Sequence, residues 1–152
     1  MAQSVAEFAT NLSKEVFSPR GKLYREFVGR VTEYVFAQIH ASYKIKSKGE
    51  TDNYGQYWKP NRRSREGKLI MVVTGRLLRS FTPGKANRNG YRRYNQDQKF
   101  EVNGTTVTIG SQVTYLKYQK REVIVPFALD LIVAEGVSFA LKKMSLRIQR
   151  EL

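Results

Sequence analysis

Between residues 22 and 40 apolar side chains recur on more than one side of a helical repeat, and this stretch constrains the chain most. Leu23, Phe27, Val31, Tyr34, Val35 and Ile39 form one stripe at three- and four-residue spacing, which Tyr24, Val28 and Phe36 widen. A stripe this broad is buried on more than one side, so the helix, ending near His40, is expected at the centre of the core. Ser18-Pro19 ahead of it reads as an N-cap followed by Pro at the first helical position. A shorter helix is predicted over residues 4–17. There Ser4 and Glu7 make a capping box, and Val5, Phe8, Ala9, Leu12 and Val16 repeat at helical spacing. Pro126 opens a C-terminal helix with Phe127, Leu131, Ala134, Ser138, Leu141 and Ile148 near one face.

Residues 99–111, "KFEVNGTTVTIGS", carry the clearest strand signal. Phe100 and Val102 alternate with polar residues, Asn103-Gly104 suits a tight turn, and Val107 and Ile109 alternate on the return. The expected fold is therefore α+β, a small antiparallel β-sheet packed with N-terminal and C-terminal helices. One domain is expected over residues 1–152, with long basic loops at about 43–68 and 82–98, where periodicity fades and Gly, Asn, Ser and charge accumulate. With 152 residues, 41% of them hydrophobic, the chain is long enough to bury a core without cross-links. It contains no cysteine, which removes disulfides, thiolate zinc sites and thiol nucleophiles, and fits folding in a reducing cytoplasm. No signal peptide is visible at the N-terminus, and the most apolar run, "VIVPFALDLIVA", is broken by Asp130 and too short to span a bilayer.

The net charge is +14, and it is concentrated. Residues 61–99 carry eleven Lys/Arg against two acids, Glu66 and Asp97, whereas the segments on either side are nearly balanced. A polyanion or an acidic protein surface is the natural partner of such a segment. Within it, "NRRSR" supplies Arg62, Arg63 and Arg65, and "RNGYRRYNQ" supplies Arg88, Tyr91, Arg92, Arg93 and Tyr94. Arg contacts phosphates and Tyr stacks on bases, which suits non-specific nucleic-acid binding. No RNP motif, zinc finger or clear helix-turn-helix accompanies them. Arg and Tyr are also enriched in protein interfaces, and together with Trp58 these residues read foremost as a subunit or partner interface.

At the centre of the chain lies "VVTGRLLRSFTPG", residues 72–84. As a phosphate-binding loop it fails, having one Gly before the helix and no Lys. It reads instead as a short helix over Gly75–Phe81, with Thr74 as N-cap and Pro83-Gly84 as the stop. Leu77, Leu78 and Phe81 then face inward, and Arg76 and Arg79 outward. Asp97 with Lys99 resembles half of a nuclease metal site, but the partner acids on offer, Glu50, Asp52 and Glu66, all sit in loop-like sequence. His40, the single histidine, reads as a packing residue at a helix end, which leaves serine nucleophiles without a base. No catalytic set, metal or cofactor is implied.

The order of these motifs resembles that of the tail-completion and virion-morphogenesis proteins of tailed bacteriophages, the Mu G-like group and their lambdoid minor-tail relatives. The marks are Trp58-Lys59-Pro60, Thr74-Gly75-Arg76-Leu77-Leu78-Arg79-Ser80, a hairpin running to Gly110, Tyr115 to Gln119, and Pro126-Phe127. Lys120-Arg121 and Val125 stand where that group often has a Gly and an Arg. The resemblance covers roughly residues 5–150 and implies a non-enzymatic structural protein of the virion, made in the host cytoplasm. It also implies a homo-oligomeric ring at the head–tail neck or head-proximal tail end. Its partners there would be portal-adaptor, stopper and tail-tube proteins, with DNA in the channel and no membrane.

Overall fold

In the computed structural model the chain is described over residues 21–70, 75–113 and 129–151. The expected helix over 4–17, the Ser18-Pro19 start, Thr74, the Tyr115 to Gln119 segment and Pro126-Phe127 lie outside the described residues. The fold is α+β, with helices packed on two small antiparallel sheets.

Helix α1 (Lys22–Ser47) carries the packing, and it buries Tyr24, Phe27, Val28, Val35, Phe36 and Ile39 as the apolar stripe predicts, and Tyr43 beyond it. It does not end near His40. Ser42, Lys46 and Ser47 are polar yet buried, so the apolar periodicity stops before the helix does. Its true end is set by Gly49, whose φ of 78° closes a reverse turn. Gly49 N–H donates to Lys46 O at 3.0 Å and Glu50 N–H to Ile45 O at 3.3 Å, the paired bonds of a glycine-terminated helix.

Two short helices follow. In α2 (Arg62–Arg65), Asn61 and Ser64 exchange side-chain and backbone hydrogen bonds at 3.0 and 2.8 Å, a reciprocal cap that holds four residues in a turn. In α3 (Arg76–Ser80) the N-cap is Gly75, in the left-handed region with φ of 76°, rather than Thr74. Leu77 and Phe81 are buried there and Leu78 packs half-buried against the same core, as expected, and Ser80 is buried with them.

Among the described residues the strands form two separate two-stranded antiparallel sheets. Strands β1 (Lys85–Asn87) and β2 (Gly90–Arg92) pair in a hairpin inside the segment read as a loop over 82–98. Strands β3 (Gln98–Asn103) and β4 (Thr106–Ser111) pair as predicted, Phe100 opposite Ile109 and Val102 opposite Val107. Their turn is Gly104-Thr105, one residue beyond the expected position.

Helix α4 (Leu129–Glu151) runs antiparallel to α1, since Glu135 meets Tyr34 near one end and Arg147 meets Glu26 near the other. Its buried face is not the expected one. Ile132, Gly136, Ala140 and Met144 face α1 at four-residue intervals, while Leu131 is 54% exposed and Ala134 and Ser138 lie outside. Small residues explain the rotation, because Gly136 lets Val31 and Tyr34 approach the helix backbone. Leu141 and Ile148 do pack on the core. Among the described residues no helix is long and apolar enough to cross a membrane.

The β1–β2 hairpin lies against α1 at a point where two backbones touch. A Cβ on Gly29 would stand 2.8 Å from Gly90 C and 2.9 Å from Tyr91 N. Alanine at 29 gains about 1 kcal/mol of helix propensity. It must also push the hairpin off the helix, and overpacking against backbone costs about 1–3 kcal/mol. Gly29→Ala is therefore expected to lower the urea midpoint, against its propensity; a raised midpoint would show that the hairpin does not dock there.

Candidate interaction surface

The structure separates the two arginine groups that the sequence places in one basic segment. The stretch holding Arg62, Arg63 and Arg65 is tied to the end of α1 through Ile70 N–H to Ser47 O at 2.8 Å. The hairpin holding Arg88, Arg92 and Arg93 meets α1 at Gly29. The anchors, Gly29 and Ser47, are eighteen positions apart on α1, about 27 Å at 1.5 Å per residue.

The first arm is not a free loop. Asp52 is buried and draws it back onto α1, accepting from Ser42 Oγ at 2.6 Å, Tyr54 N at 2.9 Å and Gln56 N at 2.8 Å. Tyr54 in turn donates to Gln38 Oε1 at 3.0 Å. These bonds occupy the Asp52 carboxylate. Trp58, read as an interface residue, is 9% exposed and belongs to the core. Its ring packs edge-on to Tyr43 with centroids 4.9 Å apart, and Lys46 Nζ lies 5.1 Å from its centre. Burial lowers the Lys46 pKa below that of an ordinary lysine, an effect opposed by the Asp52 charge. Of the arm's arginines, Arg62 and Arg65 are exposed and Arg63 is partly covered; Arg62 pairs with Glu66 at 3.3 Å.

The second group divides in the same way. Tyr91 is half-buried, stacked on Phe36 with centroids 5.9 Å apart and edge-on to Phe100 at 4.9 Å. It packs partly buried against the core. Tyr94 is 49% exposed, and Arg88, Arg92 and Arg93 are exposed around it. Arg76 and Arg79 are exposed on α3, as the motif predicts. Arg76 forms a bidentate pair with Asp97 at 2.7 and 2.9 Å, and Arg79 lies near enough to act on the same carboxylate. The Arg76 hydrogen bonds hold Asp97 below the usual aspartate range. Arg93 donates to Gln98 O at 3.3 Å, so Arg76, Arg79 and Arg93 gather about the turn at 95–98.

Asp97 is therefore committed to a guanidinium rather than poised with Lys99 for a metal. Among the described residues no three His, Cys, Asp or Glu side chains are grouped to hold an ion. His40 Nε2 lies 3.4 Å from Thr82 Oγ1, and burial, with the Lys44 charge, keeps its pKa below that of a free histidine.

The residue that organises this region has no counterpart in the sequence reading. Gln98 is fully buried and binds four groups at once. Its amide donates to Ser80 O at 3.0 Å and Thr82 O at 2.8 Å, while its Oε1 accepts from Tyr91 Oη and from Tyr94 N at 3.2 Å. Ser80 Oγ also donates to Leu77 O at 2.5 Å and bonds Ser111 Oγ at 2.7 Å. The end of α3 and the β2 hairpin thus converge on the amide of a β3 residue, and Ser80 ties β4 to the same place. A charge cluster missed by sequence also appears at the far end of α4. Buried Glu26 pairs with Arg30 at 3.1 Å and with Arg147. Compared with protein-family models, curated proteins and solved structures, the chain matches none of them.

Proposed function

We propose that this protein is a non-enzymatic structural subunit of a tailed-phage virion, a ring former at the head–tail neck or head-proximal tail end. The observation that supports the reading is the motif order, Trp58-Lys59-Pro60, then Gly75 to Ser80, then the hairpin to Gly110. Those motifs pin basic side chains to a folded core: Trp58, Leu77 and Ser80 are buried beside exposed Arg62, Arg65, Arg76 and Arg79. Cations held on short anchored elements suit a ring subunit that meets acidic neighbours above and below. Those neighbours are portal-adaptor, stopper and tail-tube proteins, around a channel that carries DNA. The protein would be made in the bacterial cytoplasm and finish in the virion.

Phage lacking the protein are expected to give full heads without tails beside unattached tails in negative-stain images. Arg62→Glu with Arg92→Glu in the intact chain should reduce its incorporation. Normal virions in both cases would sink the proposal. A second reading, a free sequence-independent nucleic-acid-binding protein, is favoured by the net charge of +14. It predicts DNA affinity falling steeply with salt and no defect in head–tail joining.

A further inference from the structure

An open cleft of about 450 Å³ lies between α1 and the last turns of α4, lined by Arg30, Lys143, Leu146, Arg147 and Arg150. Four of the five lining side chains are cations, and none belongs to the basic segment at 61–99. We propose that this cleft is a phosphate-binding site that takes the backbone of a nucleic acid, independently of whether the protein assembles into a ring.

The cleft is built rather than incidental. Glu26, with its side chain 2% exposed, sits behind it and engages both Arg30 and Arg147. Those two guanidiniums are themselves mostly covered, at 16% and 22% exposure, so their positions are fixed before any ligand arrives. A guanidinium carries five donors, so Arg30, which engages Glu26 through Nε, retains others beyond the carboxylate. Lys143 and Arg150 are exposed and complete the rim. Lys143 rests over Phe139 with Nζ 4.9 Å from the ring centre. Counting Glu26 against the four cations leaves an excess of three positive charges.

Spacing decides the class of ligand. Lys143, Arg147 and Arg150 follow one ridge of α4, a run of about 10 Å at 1.5 Å per residue. Duplex nucleic acid carries one negative charge per about 1.7 Å of axis. An extended acidic peptide presents a carboxylate to one face only every second residue, about 6.6 Å apart. The dense polyanion meets more of the four cations, and the planar fork of arginine matches phosphate oxygens in pairs. Leu146, 46% exposed among the cations, offers apolar contact for sugar rings.

The test is binding of the full chain to a random 20-base-pair duplex over a salt series, with Lys143→Gln/Arg150→Gln compared with Arg62→Gln/Arg65→Gln. All four side chains are exposed, and circular dichroism checks that each variant keeps the wild-type melting curve. Removing two phosphate contacts should make the slope of log K against log salt shallower by about two, whereas the control pair leaves it near the wild-type value. Equal loss in both variants would assign binding to overall charge and overturn the site. So would an unchanged slope, or a cleft that takes poly-glutamate but not DNA.

Discussion

Trp58→Ala is expected to unfold the protein at markedly lower temperature, although the sequence presents Trp58 as a loop residue beside an arginine cluster. The indole is 9% exposed and packs on Tyr43 at the far end of α1. Truncating a buried Trp to Ala costs about 3–5 kcal/mol, combining lost apolar burial with the cavity left behind. For a chain of this size that corresponds to a fall in Tm on the order of 10 °C. A second effect adds to it: Lys46, also buried, would lose the ring face beside its ammonium. Trp58→Phe, which keeps an aromatic face, should lose much less. Arg62→Glu, on the exposed part of the same arm, should stay within about 0.5 kcal/mol of wild type. A Tm for Trp58→Ala within a degree or two of wild type would return Trp58 to the surface and to the interface first read for it.

The contrast between Trp58 and its neighbours shows which parts of the fold were legible. The position of α1 was readable because its partners are apolar, and a broad stripe must be covered. Its last two turns were not, since Ser42 and Lys46 are buried polar residues whose partner, Asp52, comes from the loop that folds back. The helix at Arg76–Ser80 was readable because its side-chain pattern is local. The inner face of α4 was misread for the opposite reason. Gly136 and Ala140 contribute little apolar surface of their own, but they let α1 come close, which leaves bulkier Leu131 outside. No local pattern could pair Glu26 with Arg147, which lie 121 positions apart. The basic surface was therefore legible as composition, while its division into anchored arms and an α1–α4 cleft depended on tertiary packing.

Gln98 is the sharper case, because a glutamine in a charged stretch reads as solvent-facing and here occupies the centre of a polar network. Burial pushes the Tyr91 hydroxyl up to about 12, so it stays protonated and donates to Gln98 Oε1 across the working pH range. That fixes the amide orientation and directs its NH₂ at the carbonyls of Ser80 and Thr82. Gln98→Leu, close in volume, removes every partner together. Each buried group left unpaired costs about 1–3 kcal/mol, and with partial relaxation the total is expected at about 3–5 kcal/mol. Gln98→Glu separates this polar account from simple packing. It keeps an acceptor for Tyr91 and Tyr94 but puts an oxygen where two carbonyls need a donor. Protonation restores one donor, so the folded-state pKa of the new carboxyl must rise above the unfolded value of about 4.3. A raised folded pKa means the contribution is present below the unfolded value and lost as pH rises through the folded one. Gln98→Glu should therefore approach wild-type stability near pH 4 and fall away from it toward pH 8. The urea midpoints of the two proteins measured across that range give the difference directly. If that difference stayed flat with pH, the carboxyl would not be facing the Ser80 and Thr82 carbonyls, and the network centred on Gln98 would have to be abandoned.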